Sequence, residues 1–452
     1  MNQKKRKKDN TGLKVTVMMI TFALLAVTLF FRATQDAAKE NDPAEVPAAP
    51  VEMVQNTAAP ETTPEPTPEP TPEAEPEYFT ISMVGDCTLW SNKNYANHPA
   101  GYAGVINGDP TYPFSNTIQY TGTDDYTLAN LECILSDKQL TVDYTAATFA
   151  FLAPTDYVTI MTEGGVDFVT IANNHIMDCY EKGLESTKAA LEEYGLPYGA
   201  ECQAQLVTTE SGLKLGIYTA GVNMRPDWKT DTAVAAIKSL REQGAEYVIC
   251  MFHWGNELYY KPFDYQIELA HACADAGADL IYGSHSHCLQ PIEEYNGVPI
   301  FYSLGNWTFG GNTTPRDPDT VLVQVHIKRD VDGTISTESY DTIPCCVSSN
   351  IEGAMKKSQN YNDYRPTPYP EDCEGYARVL SKLDGSFVPG SQGADSSNWY
   401  ASLGGCCPGR KSNDLAEKQG HFLCNYLYFA AAGPFLGDDY LLVDTLLEFA
   451  DM

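Results

Sequence analysis

The chain has 452 residues, a length that allows two or three domains. Its 60 acidic and 29 basic residues give a formal net charge of −31, which repels phosphate backbones and excludes non-specific nucleic-acid binding. The 43% hydrophobic and 11% aromatic content excludes a wholly disordered chain. The 13 cysteines exceed the need of a typical cytosolic enzyme, so the compartment matters for their chemistry.

The N-terminal segment predicts a membrane anchor. A basic tail at residues 1–12 precedes an anchor at 13–32, whose uncharged run of 17 residues, Val15–Phe31, reaches about 25 Å as a helix, near the lower limit for a bilayer. A cleaved signal peptide is the alternative, but the run is long for one and no small-x-small cleavage site follows it. The basic tail stays in the cytoplasm, so we predict a single-pass cell-membrane protein with an extracellular main domain.

Residues 33–77 predict a disordered stalk. They are rich in Pro, Glu, Ala and Thr, and they lack apolar periodicity. Eleven acidic residues stand against a single lysine between Asp36 and Glu77. Proline restricts φ and the carboxylates repel one another, so this segment is expected to be extended and to hold the next domain away from the membrane.

After Tyr78 the pattern predicts an α/β fold, because short β-branched and aromatic runs alternate with helical stretches. The predicted strands are Phe79–Val84, Tyr126–Ala129, Phe168–Ile171, Leu213–Thr219, Tyr247–Phe252, Leu280–Tyr282, Ile300–Ser303 and Val321–Ile327. The predicted helices end at or near glycines and are Glu181–Tyr194, Asp231–Gln243 and Asp264–Ala276.

Polar side chains follow most of these strands. Because the carboxyl ends of strands in an open α/β sheet form one crevice, residues distant in sequence are expected to meet there. Imidazoles, carboxylates and amide oxygens form a mixed donor set that suits a divalent metal such as Mn, Fe or Zn. The six clusters are Gly85-Asp86, Asn130-Leu131-Glu132, Asn173-Asn174-His175, His253-Trp254-Gly255-Asn256-Glu257, His285-Ser286-His287 and Gly305-Asn306.

In this order, these clusters resemble the CapA family, associated with poly-γ-glutamate capsule synthesis, within the calcineurin-like metallophosphoesterase superfamily. The resemblance covers residues 78–343 and implies a metallophosphoesterase-like α/β/β/α sandwich. It implies that His175 is the catalytic histidine, which protonates the leaving group without binding metal. The implied metal ligands are Asp86 and His287 for one ion, Asn174, His253 and His285 for the other, and Glu132 as a bridge.

One position departs from the superfamily pattern. Where many phosphoesterases read Asp-x-His, this chain reads Asp86-Cys87-Thr88, so the first metal lacks an imidazole. The site is therefore expected to hold either one or two divalent ions.

Further polar and aromatic residues of the motifs are expected to support the ligands or to contact substrate. One of the two adjacent asparagines is expected to cap the following helix while the other faces the metal. Trp254 is either a core residue or a wall of the substrate cleft, and Glu257 positions either substrate or His253. The set is Asn130, Asn173, Trp254, Glu257 and Asn306.

Residues 344–452 predict an irregular, cysteine-containing appendage that caps the domain or covers a sheet edge, or else docks to a partner. Six of its residues are cysteines, which oxidation outside the cell can pair in fifteen ways. These cysteines are Cys345, Cys346, Cys373, Cys406, Cys407 and Cys424.

The leading functional hypothesis is a membrane-anchored, extracytoplasmic CapA-like protein of capsule synthesis that acts as a metal-dependent hydrolase. Its expected substrate is an anionic cell-surface polymer or a phosphoester, and its expected partner is a membrane synthesis complex. The alternative is a non-catalytic polymer-binding or scaffolding subunit of such a complex. A secreted nucleotidase would need a base-stacking pocket, which the sequence does not reveal.

Overall fold

The β-branched and aromatic runs form strands that assemble into two large sheets. The computed structural model describes residues 75–143, 149–222 and 227–389. Within these ranges the strands are β1 Glu77–Thr88, β2 Tyr126–Leu131, β3 Ile134–Leu135, β4 Leu152–Ala153, β5 Phe168–Thr170, β6 Tyr198–Gly199, β7 Gln203–Thr208, β8 Lys214–Val222, β9 Tyr247–Trp254, β10 Leu280–Ser284, β11 Ile292–Tyr295, β12 Val298–Phe301, β13 Asn306–Phe309, β14 Asp319–Arg329, β15 Ile335–Cys346 and β16 Thr367–Pro368.

Helices connect many of these strands. In the same ranges the α-helices are α1 Tyr102–Ile106, α2 Ile118–Thr121, α3 Val158–Glu163, α4 Tyr180–Glu193, α5 Asp227–Glu242, α6 Asp264–Asp275, α7 Ile351–Met355 and α8 Glu374–Leu383. Short 3₁₀ helices lie at Tyr112–Phe114 and Thr155–Tyr157. The three longest helices, α4, α5 and α6, coincide with the three predicted from the sequence, and each ends just before the glycine expected there.

The first sheet has β1 near its centre. Its order is β16-β15-β14-β1-β2-β5-β6, and β13 also pairs with β1. Strands β2, β5, β6 and β13 run parallel to β1, whereas β14 is antiparallel to β1. In the register of β1, Asp86 is paired with Asn130 on one side and Asn306 on the other.

The second sheet has the order β11-β12-β10-β9-β8-β7. Its four inner strands β8, β9, β10 and β12 are parallel, and the two edge strands are antiparallel to their neighbours. His253, near the end of β9, is paired in register with Ser284 at the end of β10. The carboxyl ends of the parallel strands therefore present the predicted polar residues.

The hydrophobic core explains why the strands read as nearly continuous apolar runs. Alternate residues of β1 and β9, such as Ile81 and Ile249, are buried between the two sheets. The opposite faces of the sheets pack against helices, with Leu191 of α4 on the first sheet and Ile237 of α5 on the second. Strands buried on both faces need apolar residues at almost every position. The predicted mixed α/β fold is confirmed.

The segment after Ile343 differs from the predicted irregular appendage. Strand β15 crosses the expected boundary at 343/344, and β16 and α8 extend the order to residue 383. Cys345 and Cys346 lie buried in β15, paired with β14. The sequence did not predict this strand because β15 contains many polar residues and includes Pro344, and proline is unusual in an inner strand. Residues 344–383 thus belong largely to the first sheet and its cover.

The expected disulfides do not occur among the described residues, whose ten cysteines are free thiols. Cys406, Cys407 and Cys424 lie outside the described residues. So do the predicted basic tail at 1–12, the anchor at 13–32 and the stalk up to residue 74. Within the described ranges, no helix has the length and apolar character to span a bilayer.

Candidate metal centre

The carboxyl ends of strands from both sheets bring the predicted ligands together. Two groups of three side chains have ligand atoms that all lie within 4.8 Å of one another. Asp86, Glu132 and His287 form one group, and Glu132, His253 and His285 form the other. Glu132 belongs to both groups, in agreement with the bridging position implied by the family resemblance.

Short distances connect the members of these groups. Nε2 of His253 lies 3.4 Å from Oε1 of Glu132, and Nδ1 of His287 lies 3.3 Å from Oδ2 of Asp86. Asn174 joins the second group, because its Oδ1 is 2.7 Å from Nε2 of His253. The structure therefore brings together all six predicted metal ligands.

Unpaired polar atoms show that these residues fit a cation. Both carboxylate oxygens of Glu132 and Nδ1 of His285 are buried without a hydrogen-bond partner. Burying a carboxylate without hydrogen bonds costs free energy, which a cation at this position would offset. The oxygen and imidazole donors match the preferences of divalent transition metals.

The electrostatics of the two carboxylates favour their charged form. Burial raises the pKa of Asp86, but the hydrogen bond and charge of His287 outweigh burial, so the pKa lies below its usual value. Burial and Asp86 raise the pKa of Glu132, but His253 and His287 lower it below its usual value. Both side chains are therefore available as anionic ligands near neutral pH.

The two histidines after β10 differ in their protonation. Burial and the nearby His253 lower the pKa of His285 well below its usual value, so its imidazole is neutral and can bind metal. Burial also lowers the pKa of His287, but Glu132 and Asp86 outweigh it and raise the pKa to about 10. A metal ion that binds next to His287 would compete with this proton.

The backbone at these histidines is unusual. His285 has φ of 93° and His287 has φ of 51°, in the left-handed region that residues other than glycine rarely adopt. Such conformations cost about 1–3 kcal/mol and cluster at functional sites. Here they turn the residues after β10 across the end of the sheet, so that both imidazoles reach the ligand groups.

His175 has the environment expected of a proton donor. Its Nδ1 is 2.8 Å from Oδ2 of Asp178, and its Nε2 is 3.9 Å from Oε1 of Glu132. Burial lowers the pKa of His175, but Asp178 outweighs burial and raises it. Asp178 was not predicted from the sequence, although its position three residues after His175 on the same turn is the signal that could have indicated it.

Amide side chains hold the ligands in place. Nδ2 of Asn130 donates to Oδ1 of Asp86 at 2.8 Å and lies 3.2 Å from Nδ1 of His253. Nδ2 of Asn173 donates to Oδ1 of Asn130 at 3.1 Å, while its own Oδ1 accepts from the backbone N–H of His175. Asn173 therefore braces the turn before α4, whereas Asn174 faces the ligand group. The prediction that one of them caps this helix is wrong, because the N-cap is Cys179 and no side chain caps the helix.

Polar side chains also hold Nδ1 of two predicted ligands, His287 and His253. Oδ1 of Asn306 is 2.9 Å from Nδ1 of His287. Oγ of Ser284 is 3.0 Å from Nδ1 of His253. Ser284 was missed in the sequence because a serine at the end of a strand carries no distinctive signal.

Trp254 is a core residue and not a wall of the substrate cleft. It is fully buried, its Nε1 donates to the backbone oxygen of Tyr302 at 2.8 Å, and its ring stacks on Phe252. Side chains alternate along β9, so Trp254 points away from the face that carries His253. Glu257 lies near enough to His287 for its charge to raise the pKa of that imidazole.

Two phenylalanines that the sequence did not single out form an aromatic wall beside the centre. The ring centroid of Phe151 lies 4.8 Å from that of His175, and Phe309 lies 4.8 Å from His287. The two phenylalanine rings are 6.0 Å apart.

Thr88, at the position of the missing imidazole, donates its hydroxyl to the backbone oxygen of Glu132 at 3.1 Å.

Comparison with known proteins identifies the family. The family described as bacterial capsule synthesis protein PGA_cap matches residues 80–311, just over half of the chain. The chain belongs to this family. PGA_cap lies within the calcineurin-like metallophosphoesterase superfamily, so the resemblance noted in the sequence is confirmed.

Two similar proteins are named for capsule or PGA biosynthesis. The capsule biosynthesis protein CapA of Bacillus anthracis is 29% identical over 316 residues, which cover 63% of this chain and 72% of the relative. The PGA biosynthesis protein CapA of Bacillus subtilis is 32% identical over 202 residues, which cover 41% of this chain and 53% of the relative. Among solved structures, the NAD nucleotidase of Haemophilus influenzae aligns over 69% of this chain and 68% of its own, with 13% identity and a TM-score of 0.36.

Proposed function

We propose that this PGA_cap protein acts in the biosynthesis of a capsule or poly-γ-glutamate at the cell surface, as a metal-dependent hydrolase. The observation that carries the proposal is the pair of ligand groups that share Glu132, whose buried carboxylate oxygens have no hydrogen-bond partner. The names of the Bacillus relatives support the biological process. The hydrolytic step is proposed from the chemistry of the centre.

The centre would hold one or two divalent ions, with Mn, Fe and Zn as the candidates. Asp86 and His287 would hold one ion, and His253, His285 and Asn174 the other, with Glu132 between them. When bound, such ions supply Lewis acidity and a bound water of lowered pKa.

The side chains of the chain itself would carry the other tasks. Asp178 holds Nδ1 of His175, so that Nε2 is directed at the centre and can donate a proton to a leaving group. The ionised carboxylates of Asp86 and Glu132 provide the negative charge that retains the cations. Phe151 and Phe309 limit the access of water beside the two imidazoles that they contact.

The proposed substrate is an anionic polymer or a phosphoester. A chain with a net charge of −31 repels such a substrate at long range, so the bound cations must supply the local attraction. We further propose that residues 13–32 anchor the protein in the cell membrane with a cytoplasmic N-terminus. The domain would then act outside the cell, next to a membrane complex that synthesises the polymer.

The test is metal analysis of the purified protein together with hydrolysis assays on γ-glutamyl polymers, phosphodiesters and phosphomonoesters. His175→Ala should lower kcat by about 10²–10⁴-fold, the usual contribution of a general acid, and leave the metal content unchanged. His326→Ala is the matched control, because His326 bonds to Thr80 and Asp341 on the first sheet, away from the centre. A wild-type protein without metal, or a fully active His175→Ala variant, contradicts the hydrolase.

A non-catalytic polymer-binding or scaffolding subunit is the second candidate. It is favoured by Thr88, whose hydroxyl bonds to the backbone of Glu132 where many phosphoesterases have a ligating imidazole. In that case a strain with His175→Ala makes normal surface polymer, whereas a strain lacking residues 13–32 makes none. The hydrolase predicts altered polymer in both strains.

A further inference from the structure

A buried network of charged side chains joins helix α8 to the segment that precedes β14. Nζ of Lys382 lies 2.6 and 2.7 Å from the two carboxylate oxygens of Asp317 and 2.6 Å from Oδ2 of Asp319. Nε of Arg378 donates to Oδ2 of Asp319 at 2.6 Å, and the hydroxyl of Tyr369 donates to its Oδ1 at 2.9 Å. Two cations thus face two carboxylates.

The network is largely closed to solvent and electrically balanced. The side chains of Lys382 and Asp317 are each 1% exposed, and that of Asp319 is fully buried. Burial lowers the pKa of Lys382, but Asp317 and Asp319 outweigh it and raise the pKa. Removing one member would leave an opposite charge buried without its partner, which is strongly destabilising.

The network lies directly behind one part of the metal centre. The backbone oxygen of Asp319 is only 3.1 Å from the position that a Cβ would take on Gly305, and Oγ1 of Thr320 donates to the backbone oxygen of Leu304 at 3.0 Å. Gly305, which follows Leu304, contacts the centre directly. Its backbone oxygen accepts from the N–H of Asp86 at 2.9 Å.

The turn Leu304–Asn306 therefore separates the network from two proposed ligands. Its last residue, Asn306, holds Nδ1 of His287 at 2.9 Å, while Gly305 binds the backbone of Asp86. Gly85 packs so closely that an added Cβ would lie 2.1 Å from the backbone oxygen of Gly305. A displacement of this turn is thus transmitted to both ligands.

The network also supports the other side of the His287 turn. Nζ of Lys382 lies 5.2 Å from the ring centroid of Tyr260. The backbone oxygen of the preceding residue, Tyr259, accepts from Sγ of Cys288 at 3.4 Å and from Nε2 of Gln290 at 2.8 Å. The residues that follow His287 are thereby held by the loop that packs on Lys382.

We propose that Lys382 and Arg378 are positioning residues of the metal centre, which hold the Asp317–Asp319 segment against the turn Leu304–Asn306 and so keep Asp86 and His287 in place. Both residues lie beyond the part of the chain, 80–311, that matches the family. This inference rests on the proposed function only in taking Asp86 and His287 as metal ligands. Helix α8 would then help to position the metal ligands and would not serve only to cover the first sheet.

The test compares the full chain with the variant Lys382→Met. Backbone hydrogen–deuterium exchange is followed by mass spectrometry at Asp86, with the β7–β8 hairpin of the second sheet as the internal reference. We expect the Asp86 amide to exchange at least tenfold faster, because the loosened turn releases its bond to Gly305, while the reference is unchanged. Lys356→Met is the matched control, since Lys356 pairs with Glu352 on the exposed side of α7.

A second variant removes the problem of an unpaired buried charge. Lys382→Met with Asp317→Asn restores the charge balance, so its denaturant midpoint should return towards that of the wild type. The bonds of Lys382 to Asp317 and Asp319 are still absent and only Arg378 connects α8 to this segment, so Asp86 exchange should remain fast. Mn²⁺ titration followed by electron paramagnetic resonance should show at least tenfold weaker binding in both variants and wild-type binding in Lys356→Met.

The outcomes separate the inference from the proposed function. Exchange that rises equally throughout the chain, or that returns to the wild-type rate at Asp86 in the double variant, reduces the network to a structural role and overturns the inference. Wild-type Mn²⁺ affinity in both variants also overturns it. If the wild-type protein binds none of Mn²⁺, Fe²⁺ and Zn²⁺, the proposed function fails while the exchange at Asp86 still decides whether the network positions this residue.

Discussion

The shared carboxylate of Glu132 offers the sharpest test of a two-group metal centre. Its side chain is fully buried, its oxygens have no hydrogen-bond partner, and it is the member common to both ligand groups. Glu132→Gln keeps the size of the side chain and removes its charge. If Glu132 binds the metal, this one change should weaken binding at both groups.

The expected magnitude follows from Coulomb's law. Two unit charges about 4 Å apart interact by about 4 kcal/mol at an effective dielectric constant of about 20. Half of that value already weakens binding by a factor of roughly 30, and the full value by nearly 1,000, so we expect a loss of about 100-fold. At a metal concentration about 100 times the wild-type Kd, binding stabilises the wild type by about 2.7 kcal/mol per site. The same concentration would stabilise Glu132→Gln by only about 0.4 kcal/mol.

The assay is urea unfolding of each protein with and without Mn²⁺, so that each protein serves as its own reference. The quantity compared is the gain in unfolding free energy on adding metal. Glu352→Gln, the same chemical change at an exposed position on α7, should retain the full gain. A Glu132→Gln variant that keeps the wild-type gain would refute the shared carboxylate and the two-group centre.

Three further predictions address the core, the turn beside the centre and pH. Trp254→Phe should lower the unfolding free energy by about 2 kcal/mol, because it removes the bond to the Tyr302 backbone, and should leave kcat/KM unchanged. Gly85→Ala should cost at least about 3 kcal/mol, since its Cβ would meet the Gly305 backbone oxygen at 2.1 Å. Burial, with Asp124 and Glu210, raises the pKa of Asp167 to about 6, so the ionised carboxylate opposes folding. Asp167→Asn should therefore stabilise the protein at pH 8 by about 1 kcal/mol, after allowance for solvent screening.

Denaturant unfolding also provides the controls for the glycine and aspartate variants. Gly333→Ala, in an open turn with φ of 85°, should cost only about 1 kcal/mol. The stabilisation by Asp167→Asn should shrink as the pH falls through about 6 and vanish below about 3, because the wild-type carboxyl is protonated in both states only below the usual aspartate pKa. A constant difference from pH 4 to pH 8 would contradict the titration of Asp167. A lower kcat/KM for Trp254→Phe at unchanged stability would return Trp254 to the substrate cleft.

The sequence by itself determined eight of the described strands, the three longest helices and the composition of the centre. Strand and helix positions follow from local apolar patterns, which depend on neighbours a few residues away. The polar clusters at the strand ends could be expected to converge because parallel strands present their carboxyl ends at one edge. All six predicted ligands indeed meet, although Asp86 and His285 are 199 positions apart in the chain.

Only the tertiary structure decided which neighbours serve these ligands and how far the domain extends. The position of Trp254 in the core, the phenylalanines beside His175 and His287, and the role of Thr88 depend on the side of a strand or turn on which each residue faces. The pairing of β15 with β14 and the contact of Lys382 with Asp317, 65 positions apart, joined the expected appendage to the domain. A charged helix residue is usually solvated, so no local pattern distinguishes a lysine that becomes buried between two carboxylates. Such contacts arise from packing between distant segments, and the sequence alone does not encode them in any local signal.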